Sequence, residues 1–169
     1  MLDHAGLRPT PDRIRETLFN WLALHVAGSR VLDCFAGAGG LGLEAASREA
    51  GKVNLVELDS EAARHLQQQL QRLKAERVSV IHDNILHYLA QCDEPYDLVF
   101  IDPPYAQSEL RMAVLDILIK RGLLRDEAMI YLEWPVLEAA PVLPDGLHWI
   151  KQKSAGQVSY AIAQWRVTG

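Results

Sequence analysis

The sequence has few cysteines and no long hydrophobic run, and both absences narrow the class of protein. Two cysteines, Cys34 and Cys92, stand among 169 residues without CxxC spacing, so we expect neither a disulfide nor a metal site. No apolar stretch approaches the roughly 20 residues that cross a membrane. Residues 1–6 also lack the basic and apolar regions of a signal peptide. The sequence therefore predicts a soluble, cytoplasmic protein.

An excess of positive charge is also absent. Seventeen Lys and Arg residues against 22 Asp and Glu residues give a net charge of −5. This balance counts mildly against nucleic acid as a partner, because phosphate contacts need basic side chains. Three arginines, Arg8, Arg13 and Arg15, nevertheless cluster at the start of the chain, and the distribution of charge can outweigh its total.

A glycine-rich segment follows the first apolar run of the chain. Gly37, Gly39 and Gly42 lie between a predicted strand over residues 29–34 and a predicted helix that begins near Leu41. Glycine permits positive φ and lets a ligand approach bare backbone. The helix N-terminus beyond such a turn offers free N–H groups. The spacing G-x-G-x-x-G indicates a nucleotide site, although alone it is not specific.

Acidic residues end three of the apolar runs. Asp33 ends the first, Glu57 ends the next, and Asp102 ends a later one over residues 98–101. The carboxyl ends of parallel strands meet at one edge of an open α/β sheet, where ligands bind. We therefore expect these three carboxylates to line a single ligand site.

Strands and helices alternate along the middle of the chain. The alternation over residues 29–133 predicts parallel βαβ units with right-handed crossovers. Its last helix is predicted to run to Lys120 with Ser108 as the N-cap, and its fifth strand to run from Ala128 to Glu133. Two β-like runs, 148–153 and 158–166, predict an antiparallel hairpin that closes the sheet. We expect one domain over residues 1–169, and its parts are an N-terminal loop and helix over 1–28, a cofactor-binding core over 29–133 and a C-terminal β-hairpin region over 134–169. The N-terminal helix is predicted from about Pro11 to Leu24, with Thr10 as its N-cap.

The acidic residues help to choose a cofactor. Glu57 lies twenty residues after Gly37, a spacing that NAD-binding units share. Asp33 is poorly placed beside a pyrophosphate and suits a ligand with a positive amino group. S-adenosylmethionine has such a group and no phosphate. The Asp83 carboxylate could then accept a hydrogen bond from its adenine amino group; the alternative for Asp83 and Asn84 is a helix cap.

The sequence Asp102-Pro103-Pro104-Tyr105 indicates the type of reaction. Two prolines fix φ at successive positions, so the turn can aim the Asp102 carboxylate and the Pro103 carbonyl at one exocyclic NH₂ group. The Tyr105 ring offers a face for stacking on a base. These features suit methylation of a nucleobase amine, in which most of the catalysis is positioning. The alternative is a proline-rich surface turn with an incidental tyrosine.

These motifs resemble the class I S-adenosylmethionine-dependent methyltransferases that act on exocyclic amines. Residues 7–21, 32–39 and 156–160 more closely resemble the bacterial 16S rRNA guanine-N2 methyltransferases of the RsmD type, and the likeness runs from about Gly6 to Trp165. The resemblance implies a Rossmann-like α/β fold, with a mostly parallel seven-stranded sheet, a C-terminal antiparallel hairpin and helices on both faces. It also implies a basic, glycine-containing segment before the N-terminal helix, which this chain, beginning at Met1, lacks.

The resemblance also implies roles for individual residues. Asp33 through Gly39 would wrap the amino-acid end of S-adenosylmethionine, Glu57 would hold the ribose, and Asp83 and Asn84 would meet the adenine. The full set expected at the cofactor is Asp33, Phe35, Ala36, Gly37, Ala38, Gly39, Gly42, Glu57, Leu58, Asp59, Asp83, Asn84 and Ile85. The set expected at the guanine is Asp102, Pro103, Pro104 and Tyr105, and the set expected at the RNA is Arg8, Thr10 and Arg13. The expected partner is 16S rRNA within the assembling small ribosomal subunit, bound by a monomer with no membrane attachment.

Three other functions compete with guanine-N2 methylation. An adenine-N6 DNA methyltransferase can share Asp-Pro-Pro-Tyr but usually needs an added region to read bases, and only six residues separate Tyr105 from Met112 in the next predicted helix. An NAD-dependent oxidoreductase is disfavoured by Asp33 and by the lack of a substrate domain. A non-catalytic RNA-binding module is disfavoured by the retained Asp102-Pro103-Pro104-Tyr105 turn.

Overall fold

The computed structural model describes residues 11–73 and 75–167, without the side chain of Tyr105. The predicted N-cap Thr10 and the predicted RNA contact Arg8 therefore lie outside the described residues. The helices are α1 (Asp12–Trp21), α2 (Gly40–Ser47), α3 (Ser60–Leu73), α4 (Ile85–Gln91) and α5 (Leu110–Lys120), and a 3₁₀ turn covers Tyr105–Gln107. The strands are β1 (Arg30–Asp33), β2 (Lys52–Glu57), β3 (Val78–His82), β4 (Tyr96–Ile101), β5 (Leu124–Pro135), β6 (Leu147–Ala155) and β7 (Val158–Trp165).

All seven strands form one sheet in the order β3-β2-β1-β4-β5-β7-β6. Strands β1 to β5 are parallel, and β7 runs antiparallel to both β5 and β6. The predicted mostly parallel sheet with a C-terminal antiparallel hairpin is confirmed. The chain order reverses between β1 and β4, and this topological switch point opens the crevice in which α/β folds bind ligands.

Helices cover both faces of the sheet and form two apolar cores. Helices α1, α2 and α3 pack on one face, which we call the α1 face, through side chains such as Leu18, Leu41 and Leu66. Helices α4 and α5 pack on the other face through Leu89 and Leu115. Strand β4 is apolar throughout its centre because it lies between the two cores. None of the helices in the described part of the chain is long and apolar enough to cross a bilayer.

The boundaries of α1, α5 and β5 differ from the predictions. Helix α1 ends at Trp21 rather than Leu24, whose side chain is 96% exposed and therefore gives no apolar contact to extend the helix. Helix α5 begins at Leu110, and Ser108 does not cap it, because the 3₁₀ turn after Pro104 occupies the preceding residues. Strand β5 begins four residues before the predicted Ala128, through an irregular stretch in which Glu127 has a φ of 68°.

Candidate active site

Three carboxyl groups line the carboxyl edge of three adjacent strands. Asp33 ends β1, Asp102 follows β4, and Glu133 lies near the end of β5. Phe100 and Tyr131 belong to the core of the α1 face. Side chains alternate along a strand, so Asp102 and Glu133, each two residues further on, project toward that same face. Asp102 is close enough to both other acids to interact with them electrostatically.

Asp33 connects the first strand to the glycine turn. Its side chain is only 4% exposed, and its Oδ2 accepts a hydrogen bond of 3.2 Å from the backbone N–H of Gly42 in α2. Burial raises the pKa of Asp33 to about 7, although the backbone donors of Gly42 and Phe35 oppose that rise. A ligand cation beside this carboxyl would favour its ionised form. The geometry thus supports an ammonium site at the end of β1.

The three glycines of the turn are required for different reasons. Gly37 and Gly39 have φ values of +55° and +81°, which a side chain would strain. A Cβ at Gly37 would have no atom within 4 Å, so the backbone there is open to a ligand. Gly42 has no space for a side chain, because a Cβ there would overlap Leu55 Cδ2. Openness at Gly37 and close packing at Gly42 together form a cradle for a ligand.

Glu57 holds the glycine turn against the end of β2. Its Oε1 accepts from the Gly37 N–H at 2.7 Å, and its Oε2 accepts from the Asp59 N–H at 2.9 Å. An ionised carboxylate offers about four acceptor positions, so both oxygens retain capacity for ligand hydroxyl groups. The predicted ribose contact is therefore chemically compatible with the observed role of Glu57 in the turn.

The residues at the end of β3 have divided roles. The Asn84 Oδ1 accepts from the Leu86 and His87 N–H groups at 2.9 and 3.4 Å, so this side chain is a helix cap. The Asp83 carboxylate lies 2.9 Å from His87 Nδ1, and this hydrogen bond lowers the pKa of Asp83. An ionised Asp83 suits the predicted contact with an adenine amino group.

The other predicted cofactor residues fall on the same edge with different exposures. Ala38 and Leu58 are exposed, Phe35 is half-buried, and Ala36 and Ile85 are buried among apolar side chains. The Asp59 Oδ2 accepts from the Ala62 N–H at 2.8 Å, and so it caps the start of α3. Ile85 and Ala36 can shape the cofactor pocket only through packing or backbone atoms.

Asp102 and Glu133 form a pair, and the sequence motifs did not single out Glu133. The two acids lie side by side at the ends of β4 and β5, because Ile101 pairs with Leu132 one residue earlier on each strand, and the Tyr131 hydroxyl donates to Glu133 Oε2 at 2.6 Å. Burial, followed by repulsion from Glu133, raises the pKa of Asp102 well above its ordinary value. Glu133 ends the fifth predicted strand, just as Asp33 and Asp102 end the first and fourth. The signal that identified those two residues was therefore also present at Glu133.

The proline turn after β4 is closed by a backbone hydrogen bond. Pro104 has φ −54° and ψ 145°, and its carbonyl accepts from the Gln107 N–H at 2.8 Å, which closes the 3₁₀ turn. Pro103 is buried and keeps the turn against the sheet. The predicted stacking role of Tyr105 concerns a side chain outside the described part of the structure.

A cavity of about 450 Å³ adjoins the same edge of the sheet. It is lined by the start of α1 and by the β6–β7 turn, specifically Pro11, Arg13, Ile14 and residues 155–158. Val158 pairs with Pro135 at the end of β5, which places this turn at the carboxyl edge. Trp21 stacks on Tyr160 with ring centroids 5.4 Å apart, and Tyr160 pairs with Glu133. The predicted RNA contact Arg13 therefore lies on the site side of the molecule.

Gly42 and Gly40 provide a matched test of the cradle. Gly42→Ala is expected to lower the free energy of unfolding by roughly 1–3 kcal/mol, because the new methyl group overpacks Leu55. Gly40→Ala is expected to change it by less than about 1 kcal/mol, since the nearest atom, Arg15 Nη1, is 3.7 Å from the new Cβ and alanine favours a helix. Urea unfolding of both variants measures the difference, and equal losses would contradict this packing account.

Comparisons with known proteins agree with this geometry. The chain matches the family model described as conserved hypothetical protein 95 over residues 1–164. It is 43% identical to ribosomal RNA small subunit methyltransferase D of Escherichia coli K12 over 167 residues, which cover 99% of this chain and 84% of that protein. The protein of the same name from Haemophilus influenzae is 40% identical, with 97% and 86% covered. The solved structure of the Escherichia coli protein yhhF, described there as a methyltransferase, superposes with a TM-score of 0.89 at 40% identity and covers 96% of this chain and 90% of its own.

Proposed function

The chain belongs to the family of the ribosomal RNA small subunit methyltransferases D, and from this premise we propose that it methylates the exocyclic N2 amine of a guanine in 16S rRNA with S-adenosylmethionine. The proposed substrate is the RNA of the assembling small subunit, and the proposed enzyme is a cytoplasmic monomer formed by one domain. One observation supports this proposal most. Asp33 with its glycine turn and Asp102 lie next to each other at the switch point of one sheet.

The residues at the strand ends fit S-adenosylmethionine. Asp33 would hold its ammonium group, the open backbone at Gly37 would accommodate its amino-acid end, and Glu57 would accept from its ribose hydroxyls. Asp83 would accept from its adenine amino group. When bound, the cofactor supplies an electrophilic methyl group. The buried Asp33 carboxyl is the part of the cradle that distinguishes this cofactor from a dinucleotide, because it would repel a pyrophosphate.

Asp102 is the proposed catalytic residue. Its carboxylate, with the Pro103 carbonyl, would accept hydrogen bonds from the N2 amine and orient it. The nitrogen exchanges one proton for a methyl group overall, and Asp102 is placed to receive that proton. The raised pKa of Asp102 makes it a better base than an exposed aspartate. Tyr105 would stack on the base.

The hydrogen-bond acceptors at the turn after β4 suit guanine better than adenine. The Watson–Crick edge of guanine presents two adjacent donors, N1–H and the N2 amine, whereas that of adenine presents a donor beside an acceptor. The Asp102 carboxylate and the Pro103 carbonyl would both be acceptors, which match the two donors of guanine. Arg13, at the mouth of the cavity beside α1, would contact the flanking RNA backbone.

Calorimetry tests the cofactor. We expect the purified protein to bind S-adenosylhomocysteine and not NAD, and NAD binding alone would overturn the proposed function. A methyl-transfer assay with tritiated S-adenosylmethionine then tests the acceptor, with small-subunit particles compared with naked 16S rRNA. Transfer to neither acceptor would contradict the proposal.

The affinity for S-adenosylhomocysteine is expected to depend on pH. Asp33 must be ionised to hold the ammonium group, and its pKa without ligand is about 7. Binding below that value therefore releases a proton, and the affinity should fall by up to about tenfold for each pH unit below 7. Calorimetric titration from pH 5.5 to 8, in two buffers with different ionisation enthalpies, measures both affinity and proton release. A constant affinity with no proton release would show that Asp33 does not hold the ammonium group.

A further inference from the structure

The Asp102–Glu133 pair lies where the buried end of β5 meets the half-buried turn after β4. Glu133 is 7% exposed, and the Tyr131 hydroxyl, itself fully buried, donates to its Oε2 at 2.6 Å. The strands place the two acids side by side, because Ile101 pairs with Leu132 one residue earlier on each strand. Two carboxyl groups side by side at such a place repel each other strongly when both are ionised.

The other charges around the pair do not remove this repulsion. Asp33, on the neighbouring strand, adds a third acid. Arg111, at the start of α5, is a cation that interacts with Asp102 and Glu133, but it interacts with Glu138 as well. Its buried Nε has no hydrogen-bond partner among the described residues. Tyr160, on β7, adjoins Tyr131. A single proton between the two carboxyl groups would reduce this repulsion and leave the pair with one negative charge.

We propose that Glu133 is a positioning residue for Asp102, and that one proton shared between their carboxyl groups holds Asp102 in the orientation that accepts the target amine. The Tyr131 hydroxyl fixes Glu133 in turn. This inference rests on the proposed function, since it concerns how the proposed catalytic residue is held. The active state is the singly protonated pair, in which the outer oxygen of Asp102 carries the acceptor role.

Two substitutions of Glu133 separate the shared proton from simple packing. In Glu133→Gln the amide donates permanently to Asp102 and accepts from Tyr131, so it imitates the protonated glutamate. In Glu133→Ala the support for Asp102 is lost. We expect Glu133→Ala to lower kcat by roughly 100-fold with a small change in KM, and Glu133→Gln to lose less than about tenfold. Glu76→Gln, an exposed glutamate before β3, is the matched control.

The pH profile gives a result that a structural role would not produce. In the wild-type protein kcat should fall as pH rises and the shared proton leaves. This alkaline decline should be absent in Glu133→Gln, because an amide does not lose its proton. Equal losses in the glutamine and alanine variants, or the same alkaline decline in wild type and Glu133→Gln, would overturn the inference.

A second measurement does not require activity. NMR titration of ¹³C-carboxyl-labelled protein should show Asp102 titrating well above the ordinary range in the wild type and closer to that range in Glu133→Gln. An unchanged Asp102 titration would overturn the shared proton even if RNA were methylated normally. If the wild-type protein methylated no RNA while the titration shifted as expected, the proposed function would fail and the carboxyl pair would stand as a structural fact.

Discussion

Asp102→Ala is expected to reduce kcat for methyl transfer by roughly 1000-fold or more, while the affinity for S-adenosylhomocysteine changes by less than about threefold. The variant loses both the acceptor that orients the amine and the group that receives its proton, and such losses are typically 100- to 10,000-fold. Cofactor binding is expected to survive because the cradle is formed by Asp33, the glycine turn and Glu57, on strands β1 and β2.

Two further variants make this result specific. Asp102→Asn keeps the shape of the side chain but places an NH₂ group or a weaker acceptor toward the amine, so it should be nearly as inactive as the alanine variant. Asp116→Asn changes an exposed aspartate on α5 and should retain wild-type turnover. Normal kcat in Asp102→Ala would remove Asp102 from the chemistry. A joint loss of cofactor binding would indicate a disturbed fold instead.

Asp33→Asn is expected to change affinity and stability in opposite directions. The affinity for S-adenosylhomocysteine should fall by roughly 10- to 100-fold, because a hydrogen bond between charged groups is lost. The stability of the ligand-free variant, compared with that of the ligand-free wild-type protein, should nevertheless increase as pH rises. The asparagine Oδ1 can still accept from the Gly42 N–H, and so the glycine turn should keep its geometry.

The sign of the stability effect follows from the pKa of Asp33. Its carboxyl binds a proton more tightly in the folded state, with a pKa of about 7, than in the unfolded chain, with a value near 4. The wild-type protein therefore loses stability as pH rises from about 4 to 7, and the asparagine variant does not share this loss. Thermal unfolding of both proteins at pH 5 and pH 8 measures it. A variant that was less stable than wild type by the same amount at both pH values would contradict this account.

The sequence was sufficient to predict the parts of the site that depend on local pattern. Buried parallel strands are continuous apolar runs, and the acidic residue that ends each run falls at the carboxyl edge of the sheet. This rule placed Asp33 and Asp102 at the switch point. The glycine spacing predicted a turn before α2, and Gly37 and Gly39 have the positive φ values that only glycine adopts easily.

The missed features depend on pairing between distant segments. The contact of Glu133 with Asp102 requires the register of β5 beside β4, and that register includes an irregularity after Leu124 that no local pattern indicates. The Tyr131 hydrogen bond is local by contrast, because Tyr131 and Glu133 lie two positions apart on the α1 face of β5. For Asn84 the sequence allowed either an adenine contact or a helix cap. The structure shows the cap, because its side chain accepts from the backbone N–H groups of Leu86 and His87.

Mass spectrometry of isotopically labelled 16S rRNA identifies the methylated atom directly. Small-subunit particles would be incubated with the wild-type protein and deuterated S-adenosylmethionine, and the 16S rRNA would be digested to nucleosides and analysed by mass spectrometry. We expect deuterated N2-methylguanosine in the wild-type reaction and its loss in the Asp102→Ala reaction. Deuterated N6-methyladenosine in place of N2-methylguanosine would contradict the guanine assignment, and label in the Asp102→Ala reaction at the wild-type level would contradict the proposed site.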